Sequence, residues 1–93
     1  MNRRCRLVIR GRVQGVGFRW FVRELGRSLD LSGYVWNRAD GAVELEAEGQ
    51  GAAIDNLIAQ VRVGPSGASV SGVEELATGG TEGILPKPFA VKR

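Results

Sequence analysis

The sequence predicts an α+β fold, and three observations lead to this prediction. Apolar and charged side chains alternate over residues 5–10, as in a strand, and apolar residues recur at helical spacing over residues 18–29. Two further strand-like segments and a second helical segment follow, and the chain ends in two weaker strand-like segments. The order β-α-β-β-α-β with one short extra strand predicts a ferredoxin-like split β-α-β sandwich: an antiparallel sheet with two helices on one face.

A glycine-rich turn joins the first strand to the first helix. Glycines occupy positions 11, 15 and 17, between the alternating segment and the helical one. The helix is predicted to end before Ser32-Gly33, which is a plausible stop. In a split β-α-β unit the first and second strands are parallel, so this turn and the end of the second strand should lie at the same edge of the sheet.

A hairpin is predicted in the middle of the chain. Residues 34–38 favour a strand, and Ala39-Asp40-Gly41 is a hairpin signal. Over residues 42–48 three apolar residues alternate with Glu44, Glu46 and Glu48. We interpret these glutamates as the solvated outer face of the sheet rather than as catalytic carboxylates, because strict alternation is typical of a strand with one face in water.

The rest of the chain predicts a second helix and two weaker strands. Apolar residues at helical spacing over residues 54–61 indicate the helix, which Gly64-Pro65 closes. Residues 67–77 form a poorer strand, a glycine-marked loop covers residues 79–83, and residues 89–91 form a short final strand.

Length and composition predict a small globular protein. Residues 1–93 are enough for one domain with a single core, and the hydrophobic fraction of 43% is ordinary for such a chain. No apolar run approaches the roughly 20 residues that span a bilayer, and the N-terminus lacks the apolar segment of a signal peptide. The single cysteine, Cys5, excludes an internal disulfide framework, and its place in the alternation predicts burial. We expect a cytoplasmic monomer without membrane contact.

The net charge of +3 is unevenly distributed. Up to Arg38 the chain has nine arginines and two acidic residues, a net charge of +7, whereas the remainder has four basic and eight acidic residues, a net charge of −4. A basic half can attract a small anionic substrate, or it can bind nucleic acid.

The glycine-rich turn has the composition of an anion site. The first turn of a helix leaves backbone N–H donors unpaired, and glycines allow the backbone to approach an anion closely. Arg19 follows at once, and a guanidinium can bind two phosphate oxygens together. On residue types alone, a tight strand-to-helix connection with a surface arginine explains the stretch about equally well.

Two stretches resemble the signatures of the acylphosphatase family. The run Ile9-Arg10-Gly11-Arg12-Val13-Gln14-Gly15-Val16-Gly17-Phe18-Arg19 is similar to the first, and Gly33-Tyr34-Val35-Trp36-Asn37 with the following Gly41-Ala42-Val43 and Gly49 is similar to the second. Trp36 departs from the pattern, because the family usually has a basic or polar residue there. Strand alternation points Trp36 away from Asn37, so we expect the change to affect only the outer face.

The resemblance implies hydrolysis of a small-molecule acyl phosphate, with inorganic phosphate as a product and neither metal nor other cofactor. Arg19 would bind the phosphate through its guanidinium, and Asn37 would position the attacking water. Backbone amides would form a cradle for the phosphate at Gly15, Val16, Gly17, Phe18 and Arg19. Gln14 would fix the loop by hydrogen bonds to backbone, while the side chains of Val16 and Phe18 would serve packing.

The residue inventory agrees with this chemistry. The chain has no histidine, which excludes a Ser–His–Asp or Cys–His nucleophile, and it has no cysteine–histidine cluster for zinc. An acyl phosphate releases a carboxylate whose conjugate acid has a pKa of about 4, so no proton donor is needed. Phosphoryl transfer then requires mainly that the oxygens be held and the nucleophile oriented.

Two alternatives remain open at this point. One is a module that keeps the anion cradle without useful catalysis; related acylphosphatase-like domains occur inside larger maturation proteins. The other is an RNA-binding ferredoxin-like module, which the basic first half suggests. Such modules stack bases on aromatic residues of the central strands, and the required aromatic motif is absent here, so we expect no nucleic-acid partner.

Overall fold

The computed structural model describes residues 1–78 and 83–93. Its elements, in chain order, are β1 (Asn2–Arg12), α1 (Phe18–Ser28), β2 (Ser32–Asn37), β3 (Val43–Gln50), α2 (Gly51–Val63), β4 (Ser69–Leu76) and β5 (Ala90–Val91). Every predicted helix and strand is present, with ends that differ by a few residues. The loop predicted over residues 79–83 lies mostly outside the described residues.

The five strands form one sheet in the order β4-β1-β3-β2-β5. β1 is antiparallel to β3 and β4, and β3 is antiparallel to β2, so β3 lies between the two parallel strands of a split β-α-β unit. The predicted ferredoxin-like fold is therefore confirmed. The predicted short extra strand is β5, which runs parallel to β2 and pairs Tyr34 with Ala90 and Val35 with Val91, so that the five-stranded sheet is mixed. A parallel partner requires the chain to cross from β4 to the far edge, and no local pattern in the sequence encodes that crossing.

One face of the sheet forms the core against both helices. Apolar side chains of β1 and β3 meet Val22 of α1 and Leu57 of α2 there, and all of them are fully buried. Phe89, just before β5, is also fully buried in this cluster. Cys5 lies in the core as predicted, and burial raises the pKa of its thiol to about 11. The thiol is therefore protonated at neutral pH and behaves as a small apolar group.

The opposite face of the sheet is charged, yet two of its glutamates are buried, which corrects the sequence prediction. Glu44 and Glu46 were expected to be solvated, yet each is only 3% exposed, while Glu48 remains half-exposed. Long side chains from neighbouring strands lie over them: Arg6 donates to Glu44 at 2.7 Å, and the Tyr34 hydroxyl donates to Glu46 at 2.8 Å. Burial and this hydrogen bond raise the pKa of Tyr34 to about 12. The alternating pattern indicated which side chains lie on the face away from the core, but not that side chains from neighbouring strands cover the glutamates there.

Chain topology brings three distant segments together at the end of the sheet where β1, β2 and β5 finish. The loop after β1 and the end of β2 meet there because these strands are parallel. The chain after β5 reaches the same end, since the Lys92 amide continues the parallel pairing by donating to the Val35 carbonyl at 2.8 Å. Within the described ranges, no helix has the length and hydrophobicity needed to cross a membrane.

Candidate active site

A pocket of about 210 Å³ opens at this end of the sheet, between the β1–α1 loop, the end of β2 and the chain at and after β5. The residues that line it are Val13, Gly15, Gly17, Phe18, Arg19, Trp20, Asn37, Val91 and Arg93. The structure thus brings together five of the six predicted site residues. The sixth, Val16, lines an adjacent groove and packs against the core instead.

The loop before α1 presents unpaired backbone donors. Gly15 and Gly17 have φ of 76° and 77°, left-handed values that strongly favour glycine, and Gly17 caps α1 without a side-chain hydrogen bond. The first bond into the helix is from the Phe21 amide to the Gly17 carbonyl, at 3.0 Å. The amides of residues 15–20 find no acceptor anywhere in the described chain. These donors and the positive end of the helix dipole form a site suited to an anion.

Arg19 supplies a guanidinium that no carboxylate neutralises. It is half-buried in the pocket wall, and among residues 1–78 and 83–93 it makes neither an ion pair nor a hydrogen bond. Nearby Arg10 and Arg38, in contrast, both pair with Asp40, at 3.3 and 3.2 Å. The donors of Arg19 therefore remain available for a ligand with several oxygens.

Asn37 supplies an acceptor that lacks a donor. It lies at the end of β2, where its backbone pairs with Val43. Its side-chain Oδ1 is buried and accepts no hydrogen bond from the described part of the chain. A buried polar atom left unpaired costs about 1–3 kcal/mol, so this oxygen is arranged to meet a donor that enters the pocket, such as water.

Gln14 connects the loop to the hairpin that follows Asn37. Its Nε2 donates to the backbone carbonyls of Arg38 and Ala42, at 2.9 and 3.0 Å. The hairpin is itself closed by a bond from the Arg38 amide to the Ala42 carbonyl, at 2.8 Å. The predicted bonds from Gln14 to backbone are therefore present, and they fix the loop of Arg19 relative to the strand of Asn37.

We expect Gln14→Ala to lower kcat/KM for an acyl phosphate by roughly 10-fold, because a displacement of about 1 Å between the two walls is costly. The loss of two buried hydrogen bonds should also lower the free energy of unfolding by roughly 1–3 kcal/mol. Steady-state kinetics and urea unfolding would measure the two effects. Gln60→Ala is the matched control, because the exposed Gln60 side chain on α2 bonds only to the exposed Asn56 side chain within the described chain. Equal activity in the two variants would contradict this role for Gln14.

The acidic residues of the outer face are remote from the pocket. Glu44 and Trp36 line a separate groove on the other side of the sheet, together with Arg6 and Arg38. Trp36 therefore affects the outer face, as strand alternation predicted. No described acidic side chain lines the pocket, and within the described ranges no three Asp, Glu, Cys or His side chains are grouped to hold a metal ion.

Four lining residues were not predicted from the sequence. Val13 lies within the glycine-rich stretch and Trp20 directly follows Arg19, so both could have been found from these places. Val91 and Arg93 reach the pocket only because β5 is parallel to β2, which sets residue 93 beside Asn37 when the register is continued. Arg93 is exposed and, like Arg19, has no ion pair within the described chain.

Comparisons with known proteins agree with the fold. The family model described as Acylphosphatase matches residues 5–84. A protein of Chlorobaculum tepidum named Acylphosphatase is 44% identical over 73 residues, covering 78% of this chain and 79% of that protein. The crystal structure of acylphosphatase from Bacillus subtilis superposes with a TM-score of 0.88 at 34% identity, covering the whole of both chains.

A larger protein contains a similar unit. The crystal structure of full-length HypF in the phosphate- and nucleotide-bound form matches this chain with a TM-score of 0.83 at 26% identity. The match covers all of this chain but only 12% of that one. The same fold is therefore found both alone and as a small part of a longer chain.

Proposed function

This chain belongs to the acylphosphatase family and hydrolyses acyl phosphates to a carboxylate and inorganic phosphate, and on that premise we propose how its residues divide the work. The amides of residues 15–19 and the guanidinium of Arg19 hold the phosphoryl group. The carboxamide of Asn37 positions the water that attacks it.

The observation that supports this assignment is complementarity within one pocket. One wall presents backbone donors and a guanidinium without partners, and the other presents the buried, unpaired Oδ1 of Asn37. A phosphoryl group needs donors for its oxygens, whereas a nucleophilic water needs an acceptor for a proton. The two walls offer these separately, so phosphate and water are held on different sides.

The reaction needs no general acid or base from the protein. The water oxygen forms a bond to phosphorus while the bond between phosphorus and the acyl oxygen breaks, and the bonding electrons leave with the carboxylate. The two protons of the water are taken up by oxygens of the phosphate product, so that an acyl phosphate dianion gives a carboxylate and dihydrogen phosphate. A carboxylate leaves without protonation, which suits a pocket whose described lining contains no acidic side chain and no histidine.

Catalysis then comes from charge stabilisation and placement. Arg19 and the loop amides lie where negative charge accumulates on the equatorial oxygens in the transition state. Asn37 holds the nucleophile in line, which turns an encounter with solvent into a positioned reaction. We further propose that the reaction uses no metal or other cofactor, and that residues 1–93 act as one cytoplasmic, monomeric domain without a nucleic-acid partner.

The decisive experiment is a continuous assay with benzoyl phosphate in excess EDTA. We expect full activity with and without the chelator, because every group assigned to the reaction belongs to the protein. Loss of activity in EDTA that Mg²⁺ restores would contradict the metal-independent mechanism. Absence of hydrolysis, combined with a phosphate-dependent rise in Tm, would favour the alternative that the similarity to part of HypF raises, an anion-binding unit without turnover.

A further inference from the structure

Trp20 is a large apolar side chain left in solvent at the mouth of the pocket. Its side chain is 60% exposed, and it is the one aromatic residue among the exposed large hydrophobic residues of the described chain. The Arg23 guanidinium lies over the indole at 4.4 Å from the ring centroid, and Arg23 also pairs with Glu24 at 3.5 Å. Such a cation–π contact holds the ring in place and leaves its remaining surface for a ligand.

The indole separates the active-site pocket from a larger apolar groove. Gly17 and Trp20 line both, and the groove continues over Val16, Phe21, Leu25 and Pro65, with Glu24 and Ser28 also in its lining. Its volume is about 690 Å³, compared with about 210 Å³ for the pocket. The groove therefore offers a mainly apolar surface immediately beside the pocket.

The geometry of the reaction directs the acyl group toward this groove. In-line attack places the leaving oxygen on the side of phosphorus opposite the water. The water is held by Asn37 on β2, and the groove is lined by the loop, α1 and Pro65 without any residue of β2. An acyl group that leaves away from Asn37 would therefore enter this groove past Gly17 and reach Trp20.

We propose that Trp20 and this groove bind the acyl part of the substrate, and that the preferred acyl group is apolar and aromatic. The inference rests on the proposed function, because the direction of the acyl group follows from the positions of phosphate and water. An aromatic acyl group can stack on the indole and cover the apolar surface beyond it. The charged groups near the groove, Glu24 and Arg23, already neutralise each other, so a charged acyl group gains little.

The test compares benzoyl phosphate with acetyl phosphate on the parent, Trp20→Ala and Trp20→Phe. We expect Trp20→Ala to lower the ratio of kcat/KM for benzoyl phosphate to kcat/KM for acetyl phosphate roughly 3- to 10-fold, mainly through the KM for benzoyl phosphate. Trp20→Phe should recover most of the loss, because a phenyl ring also stacks. Trp36→Phe is the matched control, since Trp36 lies on the other face of the sheet, and it should leave the ratio of the two substrates unchanged.

A binding measurement supplies a readout that does not depend on turnover. In the Trp36→Phe protein Trp20 is the sole tryptophan, and its fluorescence should change on saturation with phenylphosphonate more than with methylphosphonate. An equal fall in kcat/KM for both substrates in Trp20→Ala, or no fall for either, would overturn the inference while leaving hydrolysis intact. Failure of the parent to hydrolyse either substrate would overturn the proposed function and this inference with it.

Discussion

Arg19→Ala is expected to lower kcat for benzoyl phosphate by about 10³-fold or more, the range found for arginines that stabilise a transferring phosphoryl group. Arg19 lines the pocket and has no carboxylate partner within the described chain, so its charge acts on the ligand alone. The backbone amides remain in the variant, so weak phosphate binding should persist. Steady-state kinetics, together with inhibition by inorganic phosphate, would measure both effects.

Two companion variants make this result specific. Arg12→Ala removes an exposed arginine at the end of β1, just before the loop, that does not line the pocket, and it should retain most of the parental kcat. Arg19→Lys keeps the positive charge but loses the planar pair of donors, so we expect an activity between the parent and Arg19→Ala. An Arg19→Ala protein as active as Arg12→Ala would remove Arg19 from the site.

Asn37→Ala is expected to lower kcat by about 10²-fold while leaving the inhibition constant for inorganic phosphate within about threefold of the parent. In the proposed mechanism, the buried and unpaired Oδ1 of Asn37 accepts from the water, whereas the opposite wall holds the phosphate. A split between turnover and phosphate affinity is therefore the signature to be measured, by kinetics and by isothermal titration with phosphate.

Asn56→Ala controls for removal of a carboxamide, since the Asn56 side chain is exposed on α2 and accepts a hydrogen bond only from Gln60 within the described chain. Asn37→Asp tests the same position in another way. A carboxylate there would repel the phosphoryl oxygens, so both kcat and phosphate affinity should fall. If Asn37→Ala instead weakens phosphate binding as strongly as it slows turnover, Asn37 is a ligand of the phosphate rather than of the water.

Most of the fold was predictable because its elements are encoded locally. The alternation in β1 and β3 and the helical spacing in α1 and α2 are properties of short windows, and they predicted the right element at the right place. The parallel pairing of β5 with β2 was not predictable in this way, since two residues of strand carry almost no periodicity. Their place in the sheet is decided by the burial of Phe89, which only the assembled core can provide.

The burial of Glu44 and Glu46 shows a second limit of local patterns. A glutamate in an alternating strand predicts a face opposite the core, and that prediction is correct. Whether water reaches that face depends on side chains from other strands, here Arg6 and Tyr34. Arginine stems and aromatic rings can cover a carboxylate completely once hydrogen bonds replace its hydration.

The site was predictable where it is continuous in sequence and only partly elsewhere. The glycine-rich stretch contains five of the nine lining residues within positions 13–19 of the chain, and the split β-α-β topology predicted that Asn37 would meet it. Trp20 adjoins the stretch and stands opposite the buried face of α1, so its spacing was compatible with exposure, but it did not indicate that the side chain borders the pocket. Arg93 could not be assigned to the pocket without knowing that the last strand runs parallel to β2.

The pairing of β5 with β2 determines when the pocket is completed during synthesis. The pocket takes walls from residues 13–20, from Asn37 and from residues 91–93. A growing polypeptide that still holds residues 91–93 in the ribosomal tunnel therefore has the loop of Arg19 but not the finished cavity. The complete pocket forms only once this segment has left the tunnel and paired with β2.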